Sequence, residues 1–458
     1  MAVSLTNGST WKAYEKQVFR FVFIYFVLQA VPLDWKFYSH LFSINWLNPT
    51  LADLFNVSRY TPQFFHQLTS ADFWGLSTLA DWLVVAVLAG IGSIIWYFFE
   101  QQRGVRSNYL DLYYLLRVIL RYRLALGVIA YGLIKFFPLQ SPYPSLSNFN
   151  IDYGDFSAWK IFSLSLGVAP TFETFLGGLE IFAGLLLLYR GTAAIGAFIV
   201  LIFHGNVFLS NLAYEGGEAI YSLYLLHIAA FLFLHDAKRI VNLFSLNKPT
   251  HPDLYKPAYI HAWQYALKIG LKSAFILVFI FVFGYKAYAT YKAGSYHYPA
   301  APGLSGAQGL YDVSEFGWNG QRLPYSKNDT VRWQDVVFEE WATLSIKTAA
   351  KIEPWLDGIE IIHHNDKDRI YELSGTVGRH YYHYRVDSVA NTLSLENKNP
   401  NYLNDKFQLR YERLDQHTIR LSGLNSRGDS LDVLLRRLDK KYLYEEAQKG
   451  TRRGGFLL

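Results

Sequence analysis

TFETFLGGLEIFAGLLLLYRGTAAIGAFIVLIFHGNVFLSNLAYEGGEAIYSLYLLHIAAFLFLHD, residues 171–236, strings three apolar helices end to end and carries Glu180, His204 and His227 within them. Ionisable groups at membrane depth are expensive, and they face a bundle interior or a wet cavity. This stretch therefore sets the class of the front of the chain as a helical membrane bundle. It also marks where polar chemistry is held, without naming that chemistry.

Working outward, hydropathy predicts seven spans, at about 17–34, 81–99, 112–137, 171–189, 192–211, 217–235 and 266–288. Each approaches the roughly 20 residues needed to cross a hydrocarbon core of about 30 Å. The first follows Lys12, Lys16 and Arg20 and has no small-residue cleavage site after it, so it reads as a retained start-transfer helix. Basic residues then orient the bundle. Arg103 and Arg106, Arg190, and Lys238, Arg239, Lys248 and Lys256 fall in alternate connections, which can all be cytoplasmic together. The opposite loops, 35–80, 138–170 and 212–216, are poorer in Lys and Arg and rich in Trp and Tyr, as at a periplasmic interface. Seven crossings from a cytoplasmic start put the tail in the periplasm. Residues 236–262 begin as an amphipathic helix and break at Pro249, Pro252 and Pro257, an interfacial connector.

Charge separates the halves. Of 458 residues 17% are charged, yet 23 basic and 22 acidic residues follow Tyr291. The surplus behind the net charge of +6 sits in the apolar half and follows the positive-inside bias, with no basic stripe that could track nucleic acid. Zero cysteines exclude disulfides, thiolate catalysis and Cys-ligated metal within the chain. From Ala300 the pattern turns to short alternating segments. GLYDVSEFGWNGQ ends in Asn319-Gly320, a hairpin signal, and VRWQDVVFE, ATLSIKT, IYEL, HYYHYRVDS, NTLSLEN, FQLRYERL, HTIRLSGL and DSLDVLLRRL follow. About nine strands predict a meandering antiparallel barrel, either filled by side chains or holding one apolar ligand. His363-His364 and the His380/His383 pair invite a metal reading. His380 and His383 fall on opposite strand faces, which favours surface histidines.

The predicted organisation is thus residues 1–104 with two leading spans, 105–236 as a four-helix unit, 237–292 as connector and seventh span, and 293–458 as a soluble β domain. Within the bundle, Glu173 and Glu180 are seven apart and share a face with Gly177 and Gly184, where another helix can approach closely. His204 and Asn211 are likewise seven apart, and Asn206 points elsewhere. At ~1.5 Å of rise per residue, Glu180 and His227 lie near midplane and His204 about 10 Å deep. Lys135, Glu180, His204, Asn211 and His227 therefore form the candidate polar cluster. Three readings stand: a neutralised structural pair of Lys135 and Glu180, a pocket for a quinone or lipid headgroup, and haem or metal held by His204 and His227. The last fits poorly because the two depths differ. Arg117, Arg121 and Arg123 read as snorkelling to the cytoplasmic surface, and Glu218 as solvated at the outer mouth. No phosphate loop, metal helix or nucleophile elbow appears.

LLRVILRYRLALGVIAYGLIKFF (115–137) followed by FLGGLEIFAGLLLLYRGTAAIGAFIVLIFH (175–204) resembles the DoxX/DoxD-like membrane family. The resemblance rests on an Arg-led helix ending in Gly132-Leu133-Ile134-Lys135, then Glu180, Gly184 and the Arg190 turn, and spans roughly residues 112–236. The tail looks like a lipocalin-like domain through GLYDVSEF…NG…RW. The resemblance implies a bacterial inner-membrane protein, an accessory subunit of a respiratory or envelope redox complex. A quinone is the candidate cofactor and other membrane or periplasmic subunits the partners. A quinone-linked oxidoreductase subunit and lipid or apolar-ligand handling are the alternatives. The chain departs from the family in its two leading spans and its seventh.

Overall fold

A computed structural model describes residues 11–62, 76–103, 108–251, 253, 255–257, 261–294, 297–356 and 366–442. The chain divides into two compact units, residues 1–140 with 169–293, and residues 141–168 with 294–458.

The first unit is helical: α1 (Ala13–Ala30), α2 (Trp35–Ser43), α3 (Leu51–Ser58), α4 (Leu76–Arg103), α5 (Tyr109–Phe136), α7 (Pro170–Leu187), α8 (Ala193–Ala213), α9 (Ala219–Phe244), α10 (Ala262–Ile276) and α11 (Phe283–Ala293), with α6 (Ala158–Gly167) lying in the other unit. A π-helical segment, Leu277–Val282, joins α10 to α11 so that 262–293 is one long helix. Local chemistry sets several starts. Asn108 caps α5 by accepting from the Leu110 and Asp111 amides, Thr50 and Asp53 form a capping box on α3, and Pro170 opens α7 where its missing N–H costs nothing.

Among the described residues, five helices are long and apolar enough to cross a membrane, and α1 with α2, bent by 42°, makes a sixth candidate. Their outward faces carry large exposed apolar side chains such as Ile91, Phe98, Phe182, Ile202 and Phe281, as in a multi-pass membrane protein whose helices meet lipid. The span expected over 112–137 exists as α5 and is buried along most of its length, but Arg117, Arg121, Arg123 and Lys135 interrupt its apolar run, so it is not among those five. The predicted Gly177 contact is present. A Cβ on Gly177 would stand 2.3 Å from the Phe136 amide nitrogen, and one on Gly132 3.0 Å from the Gly177 carbonyl, so α5 and α7 meet backbone to backbone.

The second unit is a closed antiparallel barrel. Strands β1 (Gly309–Trp318), β2 (Gln321–Arg322), β3 (Asp335–Phe338), β4 (Thr343–Lys347), β5 (His380–Asp387), β6 (Thr392–Asn397), β7 (Lys406–Arg413), β8 (Thr418–Asn425) and β9 (Ser430–Leu438) pair in sequence, β1 also pairs with β9, and β2 is a short hairpin arm on β1. Eight strands thus close the ring. A register shift between Val313 and Glu315 accommodates the closure, and Asn319-Gly320, both at positive φ, makes the predicted hairpin turn. Phe316, Trp333, Phe338, Tyr382, Tyr384 and Phe407 fill the interior with aliphatic neighbours. The barrel is the filled form, and the interior site considered for an apolar ligand is occupied by these rings. IYEL is not a strand: residues 371–375 form a turn.

The largest departure from the sequence reading is the segment 141–168. It was expected as a loop of the bundle, yet it packs as part of the barrel unit. The Ser157 amide donates to the Gly375 carbonyl at 2.8 Å and the Val377 amide to Asp155 at 3.0 Å, and Phe156 bridges Thr376. This insert covers the outer face of β4 and β5, where Ser345 and Tyr381 are buried although the core lies on the other side.

Candidate functional site

On α7, Glu180 is 1% exposed and stands seven residues beyond the helix-starting Glu173. Lys135, from the last turn of α5, puts its Nζ 2.8 Å from Glu180 Oε1. His204 of α8 brings Nε2 to 3.5 Å of the same oxygen without hydrogen-bond geometry. Three of the five predicted residues therefore meet on one carboxylate oxygen, supplied by three different helices. The close glycine contact between α5 and α7 brings Lys135 and Glu180 within reach of each other. Among the described residues, Glu180 Oε2 and both His204 ring nitrogens lack a hydrogen bond. A buried pair of opposite charges is costly to break, because removing one partner strands the other. The spare atoms beside it are what a hydroxyl- or carbonyl-bearing ligand could engage.

Asn211 and His227 do not join this group. The Asn211 amide donates to the Val207 carbonyl at 2.9 Å and its oxygen accepts from the Glu218 amide at 3.2 Å, which closes the end of α8. The His227 ring lies against Phe26 at 5.3 Å and 17°, with Trp82 and Tyr224 also in ring contact. The expectation that it shares a cluster with Lys135 is corrected by this aromatic setting. Depth along a helix places a residue at a level but leaves its direction open. Among the described residues no group of three or more His, Asp or Glu side chains could hold a metal ion. His363 and His364 lie outside the described residues, and His380 packs edge-on to Tyr402.

The arginines also depart from the sequence reading. Arg123 does not snorkel: it is 7% exposed, donates to the Ser58 carbonyl at 2.9 Å, to the Tyr60 carbonyl, and to the Tyr224 hydroxyl at 3.1 Å. It thereby ties the end of α3 to α5 and α9. Arg117 engages His235 at 2.7 Å and Asp253 at 3.4 Å. Glu218 is buried rather than solvated, accepting from the Tyr131 hydroxyl at 2.8 Å and pairing with Arg59. Arginine inside an apolar helix was the available signal, and it was misassigned because the carbonyls that receive it come from distant sequence.

The barrel unit holds a second buried polar layer that the sequence reading missed. Lys398 Nζ is 2.7 Å from Glu372 Oε1, which also accepts from Thr343 Oγ1 at 2.9 Å. Glu339 accepts from the Ser147 amide at 2.7 Å and the Leu146 amide at 3.2 Å. Burial outweighs these donors and pushes its carboxyl up to about 7. Lys160 of the insert donates to the Tyr371 carbonyl, and burial, opposed by Glu372, pushes its ammonium down to about 7. Compared with known family models, curated proteins and solved structures, the chain matches none.

Proposed function

We propose that this chain is a bacterial inner-membrane protein, similar to the DoxX/DoxD-like family, that serves as an accessory subunit and presents a periplasmic barrel to another envelope or membrane protein. The observation that carries this reading is the filled barrel: with its interior taken up by aromatic rings, its outer surface is what it offers to other molecules. The strand ends gathered at one rim carry exposed Val389 (96%) and Leu414 (52%), beside an open cleft of about 810 Å³ lined by Ser388, Tyr411 and Arg413. Helix parity supports the topology. Residues 141–168 and 294–458 form one unit, and the helices between them include four candidate spans, an even number that returns the chain to the same side. Arg190, Lys248 and Lys256 fall in connections on the other side, which the positive-inside bias makes cytoplasmic. Full-length chain solubilised from its native membrane in mild detergent should retain a stoichiometric partner. Val389→Asp with Leu414→Asp should lose that partner while the barrel stays folded. A monodisperse monomer in both cases ends this reading.

A second reading is favoured by the spare buried atoms of Glu180 and His204, which fit the oxygen of a quinone. A bound quinone would supply two-electron carriage; Glu180 would hold the proton at that oxygen, Lys135 would keep the carboxylate in place, and His204 would pass the proton on. Quinone in organic extracts of the pure protein, lost in Glu180→Gln, supports it. Extracts free of quinone, with electron transfer unchanged in Glu180→Gln, remove it.

A further inference from the structure

The first half of α5, the α7–α8 turn with the start of α8, the second half of α9, and Thr250 and Asp253 line a cavity of about 400 Å³. Four guanidinium groups line it, those of Arg117, Arg121, Arg190 and Arg239, against only two carboxylates, Asp236 and Asp253. Three of the four are occupied. Arg190 donates to the Tyr255 carbonyl at 2.9 Å and the Asp253 carbonyl at 2.7 Å, Arg239 pairs with Asp236 at 2.7 Å, and Arg117 engages His235 and Asp253. Arg121 is different. It is 7% exposed, its Nε is buried without a hydrogen bond, and among the described residues its guanidinium makes no hydrogen bond or ion pair.

A buried cation without a counter-charge is a large cost unless something else neutralises it. A guanidinium is also a planar fork that matches phosphate oxygens two at a time. Val118, Ile195, Ile240 and Leu243 add apolar surface to the same lining, so the cavity combines an anion cradle with a surface for hydrocarbon. Basic pockets between membrane helices receive acidic headgroups on this physical basis.

The geometry points to a phosphate-binding site centred on Arg121, which takes the phosphodiester of an anionic phospholipid headgroup or a free phosphate. This site is separate from the Lys135–Glu180–His204 group and does not depend on the accessory-subunit reading.

The test uses the full-length chain in detergent, with binding read by native mass spectrometry and by the thermal midpoint. The probes are phosphatidylglycerol, phosphatidylcholine and inorganic phosphate at constant ionic strength. Wild type should retain phosphatidylglycerol in preference to phosphatidylcholine, or be stabilised by inorganic phosphate. The first outcome identifies a headgroup and the second a soluble phosphate. Arg121→Gln should weaken that binding by about tenfold or more. Arg121→Lys, which keeps the charge and loses the fork, should fall between, and Arg103→Gln on the exposed end of α4 should bind as wild type does. If Arg121→Gln does not fold, Arg239→Gln and the wild-type preference decide. Wild type that neither prefers phosphatidylglycerol nor responds to phosphate overturns the proposal, as does Arg121→Gln binding as tightly as wild type.

Discussion

Among the described residues each unit buries one lysine–glutamate pair, and the two pairs are alike in distance but not in company. In the bundle, Lys135 and Glu180 meet at 2.8 Å with His204 on the same oxygen; in the barrel unit, Lys398 and Glu372 meet at 2.7 Å with the Thr343 hydroxyl there instead. The bundle pair joins a titratable ring, while the barrel pair joins a neutral hydroxyl that donates to Glu372 and accepts from Lys398 at 3.4 Å. The first arrangement leaves Glu180 Oε2 and both His204 ring nitrogens without a hydrogen bond among the described residues. The second fastens the turn that carries Glu372 to β4.

Breaking either pair should give the largest effect. Glu180→Gln and Glu372→Gln each strand a buried ammonium and should lower stability by about 3–5 kcal/mol. Replacing both members with apolar residues, Lys398→Met with Glu372→Leu, should restore most of it. The same exchange at Lys135 and Glu180 should restore stability but not ligand retention, if the bundle pair serves a site. Thermal midpoints of the four variants, with extraction of bound small molecules, separate the two roles.

The next test lies under the insert and concerns pH. Glu339 is held at about 7 when folded against an ordinary 4.5, so its contribution is full below 4.5 and is lost as pH rises towards 7. Lys160 is held at about 7 against 10.5, so its contribution is full above 10.5 and is lost as pH falls through 7. The barrel unit should therefore be least stable near pH 7, the Glu339 limb being worth on the order of 3 kcal/mol and the Lys160 limb on the order of 5 kcal/mol. Glu339→Gln should flatten the acid limb and Lys160→Met the alkaline one. Hydrogen exchange in β4 and β5 across pH 4–10 reads both, and a profile unchanged by either variant refutes the assignment.

Smaller effects sharpen the contrast between helix and strand packing. Gly177→Ala pushes a Cβ onto the α5 backbone and should cost about 1–3 kcal/mol. Its neighbour Gly178, whose added Cβ would stand 3.8 Å from the Phe136 ring, should tolerate alanine. Least of all, Gly320→Ala at φ +77° should cost about 1 kcal/mol in the β1–β2 turn, seen as a small fall in the barrel's thermal midpoint.

The bundle pair was legible because a charge in an apolar run stands out, and Glu180 could be placed on the glycine face of α7 by counting sevens. The barrel pair was not legible, because Glu372 and Lys398 sit in polar sequence where two more charges carry no signal. The same asymmetry explains β4 and β5. ATLSIKT reads as a strand, but the insert buries the face turned away from the core, and only a contact across nearly 200 residues of chain, such as Ser147 with Ser345, does so.

By itself the sequence determined the division into an apolar helical front and a strand-rich tail, the Asn319-Gly320 turn, and the helix faces that carry Lys135, Glu180 and His204. These follow from periodicity and local turn chemistry, which act over a few residues. Tertiary structure alone decided that 141–168 belongs with the barrel, that His227 turns into an aromatic nest, that Arg123 is tied to backbone carbonyls, and that Arg121 has no ion pair among the described residues. Each of those outcomes depends on which distant group arrives at a given side chain, and a helical or strand repeat fixes a side chain's direction without specifying what it will meet.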